Sequence, residues 1–338
     1  MSTNFRIRPR IAKTLIALTV VTTLFSGVSI AAQASSGRAS AQLTPGATHT
    51  PLIQKPSDFG PSRVAERSRR GHWPTWTIPV PTTTVPVPTT TVPARVPAVS
   101  VNYPVGVASS NSPSGFSPPT ATALTGFTQS NVADFTGSSL PSGWQVYSGK
   151  PGGDPGAQFG GAAHVSLSGG LLSLNTFQDP NYGNIWVTGG LCDCGFSQTY
   201  GAYFVRSRVT GAGPTNVELL WPANNSWPPE IDFNETDGSA NFSTATTHFT
   251  AANTQDQVKL SNIDMTQWHT WGVIWTPKGI TYTVDGSVWG SDTNTAAIPT
   301  LPMTLDLQQQ TWCSSGWACP TKPQSMQIDW AAQYSYNG

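Results

Sequence analysis

Residues 271–286 read WGVIWTPKGITYTVDG and contain the clearest fold signal in the chain. Two runs rich in β-branched and aromatic residues, Trp271–Thr276 and Ile280–Val284, are separated by a short break. The second run ends at Asp285-Gly286, a dipeptide typical of a two-residue hairpin turn. The stretch therefore predicts antiparallel strands.

Runs of the same kind recur outward from this stretch, between Gly, Asn, Asp and Pro. They are Gly170–Leu174, Asn184–Val187, Gly201–Val209, Asn216–Trp221, Glu230–Glu235 and Met303–Gln308. No segment keeps a helical period over a dozen residues, and only 10% of the 338 residues are charged. Many short strands between turn signals are typical of an all-β sandwich or barrel. We expect one such domain over residues 121–338.

The first 120 residues predict no packed core. Residues 1–34 combine a basic start, an apolar run and a small-x-small site, which predicts a secretory signal peptide. An uncleaved membrane anchor is the alternative. Residues 35–120 are rich in Pro, Thr and Ser, with two copies of a PVPTTTV repeat from Pro79, which predicts a disordered linker. We expect an extracellular, secreted protein that is not in the membrane after signal cleavage, either free or associated with the cell wall.

The net charge of zero hides an uneven distribution. Residues 101–338 contain 6 Lys and Arg against 15 Asp and Glu. Nucleic acids are bound through clustered cations, so this domain is not expected to bind them. Sulfated or uronic-acid polymers are unsuitable partners for the same reason. The charge therefore favours a neutral partner.

Three acids lie within six residues, in Glu230-Ile-Asp232-Phe-Asn-Glu235. Side chains two apart on a strand share a face, so Glu230 and Asp232 point the same way. Glu235 is out of phase with them unless one extra residue intervenes. A β-bulge near Phe233–Asn234 would return it to the same face. The sequence therefore predicts a bulged strand with three carboxylates in a row.

A row of carboxylates suits glycosidic cleavage. Like charges at close range raise one another's pKa, so one acid can keep its proton beside an ionised neighbour. Retaining glycosidases need such a pair, one acid to protonate the leaving oxygen and one carboxylate to attack the anomeric carbon. Nearby aromatic side chains, Trp221, Trp227 and Trp271 among them, suggest stacking with sugar rings. A calcium site, a solvated strand and ordinary core packing of the Trp residues are the alternatives.

The motif Glu230-Ile-Asp232-Phe-Asn-Glu235 resembles the E-x-D-x-x-E signature of glycoside hydrolase family 16, which includes laminarinases and lichenases. Three other segments resemble blocks of the same family in the same order: Gly201–Arg208, Trp268–Pro277 with its following hairpin, and Met326–Trp330. The resemblance spans roughly residues 130–338. It implies a concanavalin A-like jelly roll, two curved antiparallel sheets with a cleft across the concave one.

The resemblance also implies roles for individual residues. Glu230 would be the nucleophile, Glu235 the acid/base, and Asp232 would modulate their protonation. Trp221, Trp227, His248 and Trp271 are candidate substrate contacts, and His248 could equally be structural. Ile274 and Val205 each stand where the family commonly has Glu, which leaves the motif acids intact but implies different sugar-binding subsites. Pro228-Pro229 replaces a Gly common before the first motif acid, which stiffens the entry to that strand.

The sequence thus predicts a secreted retaining endo-hydrolase of a neutral β-glucan, β-1,3 or mixed β-1,3/1,4, acting as a monomer. A non-catalytic carbohydrate-binding jelly roll, a transglycosylase and a galactan hydrolase of the same family are the alternatives. No cofactor is expected. Family members often carry a structural calcium, but the sequence shows no dedicated ligand loop for one.

Four cysteines lie in the C-terminal part, at Cys192, Cys194, Cys313 and Cys319. An even number in an exported chain suggests disulfides, and three pairings are possible. A bond between Cys192 and Cys194 is awkward because they are only two residues apart. A four-thiolate zinc site is a weaker alternative, since the spacing is unusual for zinc.

Overall fold

The structure, a computed structural model, describes residues 103–154 and 156–338. The predicted signal peptide and the predicted linker as far as residue 102 lie outside the described residues. The described part consists of β-strands joined by turns, together with three short 3₁₀ turns, Gly161–His164, Pro180–Tyr182 and Cys313–Ser315. Within this part, no helix has the length and apolar character that crossing a membrane requires.

Twenty strands follow one another along the described chain. The first ten are β1 (Val107–Ala108), β2 (Phe116–Ser117), β3 (Phe127–Ala133), β4 (Gln145–Val146), β5 (Ser148–Gly149), β6 (Phe159–Gly160), β7 (Val165–Ser168), β8 (Leu171–Asp179), β9 (Ile185–Val187) and β10 (Gly190–Cys192). The others are β11 (Gly201–Val209), β12 (Thr215–Pro222), β13 (Glu230–Glu235), β14 (Phe242–His248), β15 (Gln255–Ser261), β16 (His269–Thr276), β17 (Gly279–Val284), β18 (Ser287–Asp292), β19 (Met303–Gln310) and β20 (Gln324–Tyr336).

The strands form two large antiparallel sheets. The first has seven strands in the order β15-β14-β13-β12-β19-β10-β4. The second runs β18-β17-β16-β11-β20-β8-β7, with β3 paired to β20 and β9 paired to β8. Neighbouring strands in the sheets are often far apart in the chain, as β12 and β19 are, which is characteristic of jelly-roll connections. The predicted all-β jelly-roll sandwich of two antiparallel sheets is confirmed.

The main core lies between the two sheets. The seven-stranded sheet contributes Leu220, Ile231 and Phe233, and the nine-stranded sheet contributes Tyr203 and Trp275, all at most 1% exposed. Side chains alternate along each strand, so the residues between these point to the other face of their sheet. We call the face of the seven-stranded sheet that points away from this core its outer face.

The predicted strands are present within a few residues of their predicted ends. The hairpin is confirmed as well: β17 and β18 are joined by Asp285 and Gly286, whose φ angles are +47° and +79°. Positive φ at both central positions is what this turn demands, and Asp-Gly supplies it at low steric cost.

The predicted domain start at residue 121 is too late. The backbone N–H of Ser114 donates to Asp329 (3.1 Å), and Trp330 Nε1 donates to the carbonyl of Phe116 (2.7 Å). The Arg206 guanidinium lies 4.8 Å from the centre of the Phe116 ring. These contacts attach residues 103–120 to β11 and β20, so this segment belongs to the folded domain and not to the linker.

The cysteines form two disulfides, Cys192–Cys194 and Cys313–Cys319. The pairing that looked awkward from its spacing is therefore present. Cys192 and Cys194 can bond because Cys194 lies just beyond the end of β10, where the chain leaves the extended conformation. All four cysteines of the chain are paired, and no thiol remains for a zinc site.

Candidate active site

The three acids of the motif line up along the outer face through a β-bulge. In the register with β14, Glu230 lies opposite His248, Asp232 opposite Thr246 and Glu235 opposite Thr244. Three residue steps on β13 therefore match two on β14, which is the one-residue insertion predicted near Phe233–Asn234. We call Glu230, Asp232 and Glu235 the acid row.

The same bulge is visible from the other neighbour of β13. Asn234 lies opposite Glu218 and Asp232 opposite Leu219, which leaves Phe233 as the extra residue. Phe233 and Ile231 both point into the core and are fully buried. Packing of these two side chains in the core fixes the register, because a slip by one residue would turn them to the outer face and turn the acids into the core.

His248 is the cation that contacts the acid row. Its Nε2 lies 3.2 Å from Asp232 Oδ2, and its Nδ1 lies 2.6 Å from Asn253 Oδ1. Burial lowers the pKa of His248, but the hydrogen bond and charge of Asp232, together with Glu230, outweigh it and raise the pKa to about 10. Both ring nitrogens face oxygen acceptors, as an imidazolium requires. His248 therefore adds a positive charge beside three acids.

Glu230 is 1% exposed, and Trp227 Nε1 donates to its Oε2 at 2.8 Å. Its Oε1 has no hydrogen-bond partner among the described residues. Burial raises the pKa of Glu230 well above its usual range, the charge of Asp232 adds to this, and His248 and Trp227 oppose it. The indole N–H and the imidazolium thus favour the ionised form of a carboxyl whose other oxygen is buried and without a hydrogen-bond partner among the described residues.

Glu235 closes the acid row at the other end and is partly exposed. Desolvation of its carboxyl raises its pKa to about 8, with a further contribution from Asp232 and an opposing one from His248. A glutamic acid with this pKa keeps its proton at neutral pH. The pKa is thus raised at both ends of the acid row, and the two ends differ in their surroundings: Glu230 is buried beside Trp227, whereas Glu235 is partly exposed.

Two of the predicted aromatic contacts lie beside the acid row. Trp227 bonds to Glu230, and its ring centre is 6.2 Å from that of His248. Trp221 follows Val217 and Leu219 on the outer face of β12, and Trp227 packs against the cluster that they form with Trp312. Trp221 is fully buried and donates from Nε1 to Asn225 Oδ1 at 2.8 Å. Trp227 is thus the more accessible of the two.

The prediction that Trp271 contacts substrate is wrong. Trp271 lies on β16 of the nine-stranded sheet, is 1% exposed, and belongs to the core between the sheets. Its ring packs edge-on against Trp289 at 6.2 Å. An inward-facing indole on the other sheet cannot reach a ligand on the outer face.

Two outer-face residues were not anticipated from the sequence. Asp306 on β19 lies opposite Leu219, and the Tyr147 hydroxyl donates to its Oδ2. Thr304 Oγ1 donates to Asp306 Oδ1 at 2.9 Å. Burial and the charges of Asp306 and Glu230 raise the pKa of Tyr147. The one available signal was Asp306 itself, an acid in the otherwise uncharged predicted strand Met303–Gln308.

A resident metal ion does not fit the acid row. Within the described residues, Glu230, Asp232 and His248 form the group that brings three metal-ligand atoms within 4.8 Å of one another. An imidazolium has no lone pair to offer, and its positive charge repels a cation. His248 Nε2 and Asp232 Oδ2, two atoms that a metal would bind, are already paired with each other at 3.2 Å.

Comparison with known proteins supports this picture. The family model described as glycosyl hydrolases family 16 matches residues 160–332, about half of the chain and including the acid row. The curated endo-1,3-1,4-β-glycanase ExsH of Rhizobium meliloti (strain 1021) is 35% identical over 103 residues. That match covers 29% of this chain and only 22% of the relative's length.

Solved structures share the fold at low sequence identity. The laminarinase from Rhodothermus marinus superposes with a TM-score of 0.55 and 20% identity, covering 62% of this chain and 98% of its own. A lichenase derived from a mouse hindgut metagenome gives a TM-score of 0.52 and 18% identity, covering 61% and 98%. At such identities, these likenesses establish the sandwich architecture and nothing finer.

Proposed function

The chain belongs to glycosyl hydrolase family 16, and from this premise we propose that it is a retaining endo-hydrolase of a neutral β-glucan with β-1,3 or mixed β-1,3/1,4 linkages. The observation that carries the proposal is the acid row: a buried Glu230 with one unpartnered oxygen and a Glu235 that keeps its proton at neutral pH. The names of the compared glycanase and laminarinase support the choice of linkage.

In the first step, Glu230 Oε1 attacks the anomeric carbon while the glycosidic C–O bond breaks. Glu235 transfers its proton to the departing oxygen, so the leaving sugar departs as a neutral alcohol. The Trp227 indole N–H holds Glu230 Oε2 and leaves Oε1 to react. The product is a glycosyl ester of Glu230 and an ionised Glu235.

In the second step, a water molecule attacks the same carbon from the side that the leaving group vacated. Glu235 takes the proton from that water, the ester C–O bond breaks, and Glu230 leaves as a carboxylate. Two inversions give net retention. Asp232 and His248 form an ion pair next to the two glutamates. The charge of Asp232 raises the pKa of both glutamates, and the charge of His248 lowers it.

The charge of the domain favours a neutral substrate. The 6 cationic residues of residues 101–338 are outnumbered by 15 acids. A sulfated galactan or a uronic-acid polymer would meet net repulsion near the acid row, where His248 is already paired with Asp232. Trp227 offers an indole surface to a sugar ring, which needs no charge.

We also propose that the protein acts outside the cell as a monomer. The support is the predicted signal peptide at residues 1–34 and the Pro/Thr-rich linker after it. A polymeric substrate does not enter the cell, so export is consistent with the proposed activity.

The proposal predicts the outcome of a substrate panel of laminarin, lichenan, agarose and carrageenan. Reducing ends should appear with laminarin or lichenan, and NMR of the first products should show the β-anomer. Cleavage of carrageenan or agarose alone would move the enzyme to the galactan hydrolases. Binding to a glucan without any new reducing ends would favour the non-catalytic module, and an initial α-anomer would contradict the roles of the acid row.

The pKa values predict a rate profile that is shifted towards alkaline pH. Glu235 must be protonated for the first step and its pKa is about 8, so kcat/KM should fall above pH 8 by about tenfold per unit. Glu230 must be ionised and its pKa is raised, so the acidic limb should lie above the usual range of a glutamate. The measurement is kcat/KM on a soluble glucan from pH 4 to 10. A fall beginning below pH 6 on the alkaline side would contradict the assignment of Glu235.

A further inference from the structure

A carboxyl group lies in the core directly beneath the bulge of the acid row. Glu218 on β12 is 0% exposed and stands opposite Asn234, which lies between the extra residue Phe233 and Glu235. Its side chain points inward, because it contacts Ser207 of the nine-stranded sheet. Carboxyl groups are seldom buried between sheets without a specific role, since desolvation strongly disfavours the charged form.

Polar side chains link Glu218 to both sheets. The Ser207 hydroxyl donates to Glu218 Oε1, and Ser207 sits where β11 and β20 shift register. On the other side, Asn234 lies opposite Glu218 in the register and favours the ionised carboxyl, and Glu218 Oε2 has no hydrogen-bond partner among the described residues. Glu218 therefore connects a register shift in one sheet with the bulge in the other.

The connection continues from Asn234 to the backbone of Glu235. Asn234 Oδ1 accepts a hydrogen bond from Ser243 Oγ at 2.7 Å. Ser243 Oγ in turn accepts from the backbone N–H of Glu235 at 3.2 Å. Asn234 and Ser243 are at most 1% exposed. These contacts satisfy the backbone group that the bulge takes out of the regular ladder.

The protonation of Glu218 is consistent with this arrangement. Burial raises the pKa of Glu218 to about 8, against the opposing effects of the Ser207 hydrogen bond and of Asn234. At neutral pH the group is therefore a neutral carboxylic acid, which can both donate and accept. A neutral acid in the core avoids most of the cost of a buried charge.

We propose that Glu218 is a positioning residue for the acid/base: through Asn234 and Ser243 it holds the bulge that places Glu235 on the outer face. This inference rests on the proposed function of Glu235. The bulge could form with an apolar residue at position 218, since Phe233 and Ile231 already fix the register. The network adds a defined position for Asn234, and hence for the Glu235 backbone. Displacement of a reacting group by about 1 Å can cost on the order of 10²-fold in rate.

The test compares two substrates with the same glycosyl group. One is an unactivated gluco-oligosaccharide that needs protonation of its leaving oxygen, and the other is its 2,4-dinitrophenyl glycoside, which departs without a proton. Glu218→Met keeps the volume but loses the polar contacts. We expect kcat/KM on the oligosaccharide to fall tenfold to about 10²-fold, and on the aryl glycoside less than about threefold. Glu218→Gln, the conservative control, should retain at least a third of the wild-type value on both.

A merely structural role would give a different result. Equal losses on both substrates, or no loss on the oligosaccharide, would overturn the proposal. If Glu218→Met fails to fold, Ser243→Ala removes the last link of the same chain and should show the same selective loss. Wild-type enzyme that cleaves neither substrate would refute the proposed function instead.

One readout does not depend on activity. The Glu235 amide is bonded to Ser243, so its hydrogen exchange should accelerate in Glu218→Met and remain at the wild-type rate in Glu218→Gln. Unchanged exchange in both variants would overturn the positioning role even in an inactive protein.

Discussion

Replacing Glu230 by Gln is expected to lower kcat/KM on a cleavable β-glucan by roughly 10⁴-fold or more. The amide cannot attack the anomeric carbon, so the glycosyl ester of the first step cannot form. Gln keeps the size of the side chain and can still accept the hydrogen bond from Trp227. The fold should therefore survive, and thermal unfolding should show a transition as cooperative as that of the wild type.

A matched control is available at Asp264. It is an exposed acid in the turn before β16, and its Oδ1 accepts from the backbone N–H and the hydroxyl of Thr266. Asn can accept the same bonds, so Asp264→Asn makes the same chemical change away from the acid row and should leave the rate unaltered. Cleavage by Glu230→Gln within tenfold of the wild-type rate would show that Glu230 is not the nucleophile.

The acid row could be predicted from the sequence because this strand has few ways to place its apolar side chains in the core and its acids outside it. Side chains alternate on a strand, and Ile231 and Phe233 are large apolar residues that must be buried. Once they point inward, Glu230 and Asp232 point outward, and Glu235 can join them only if one residue is inserted. The sequence therefore predicts the bulge and its position, as the register with β12 and β14 confirms.

The error at Trp271 has an equally physical origin. The residues of β16 from Thr270 to Trp275 are all buried, so both faces of this strand are covered and hydrophobic alternation is absent. Without alternation, the sequence gives no indication of which side an indole takes. Closeness to an acidic motif in the sequence does not show which of the two sheets contains a strand, or which face a residue on it takes.

The domain start was misjudged because composition alone cannot distinguish a linker from a segment that packs with little regular structure. Residues 103–120 are rich in Ser, Pro and Gly, as the linker is. They are held by individual contacts, such as the Ser114 N–H to Asp329 and the Phe116 ring under Arg206. Their partners lie at least 90 residues further along the chain.

Glu218 illustrates a signal that was present but not used. The predicted strand Asn216–Trp221 contains one charged residue among apolar ones, at a position that alternates with Val217 and Leu219. An acid that breaks a core pattern is a local inconsistency, and such inconsistencies tend to mark functional positions. Only the register, which places Asn234 opposite it, shows what that acid faces.

Replacing Glu235 by Ala should separate the two steps of the reaction. Without a proton donor, kcat/KM on a glucan should fall by about 10²–10⁴-fold, while kcat/KM on a dinitrophenyl glycoside, whose leaving group needs no proton, should stay within about tenfold. The second step still lacks its base, so the glycosyl ester of Glu230 should accumulate and give a burst of dinitrophenol.

Azide gives this variant a stereochemical readout. It needs no base, attacks the glycosyl ester from the face opposite Glu230, and so yields a β-glycosyl azide. In Glu230→Ala no ester forms, and azide attacks the β-linked donor directly from the other face to give the α-glycosyl azide. Products of opposite configuration would place each glutamate on its own side of the sugar. An α-azide from Glu235→Ala would reverse the two assignments, because the acid at position 235 would then have been the one bonded to carbon.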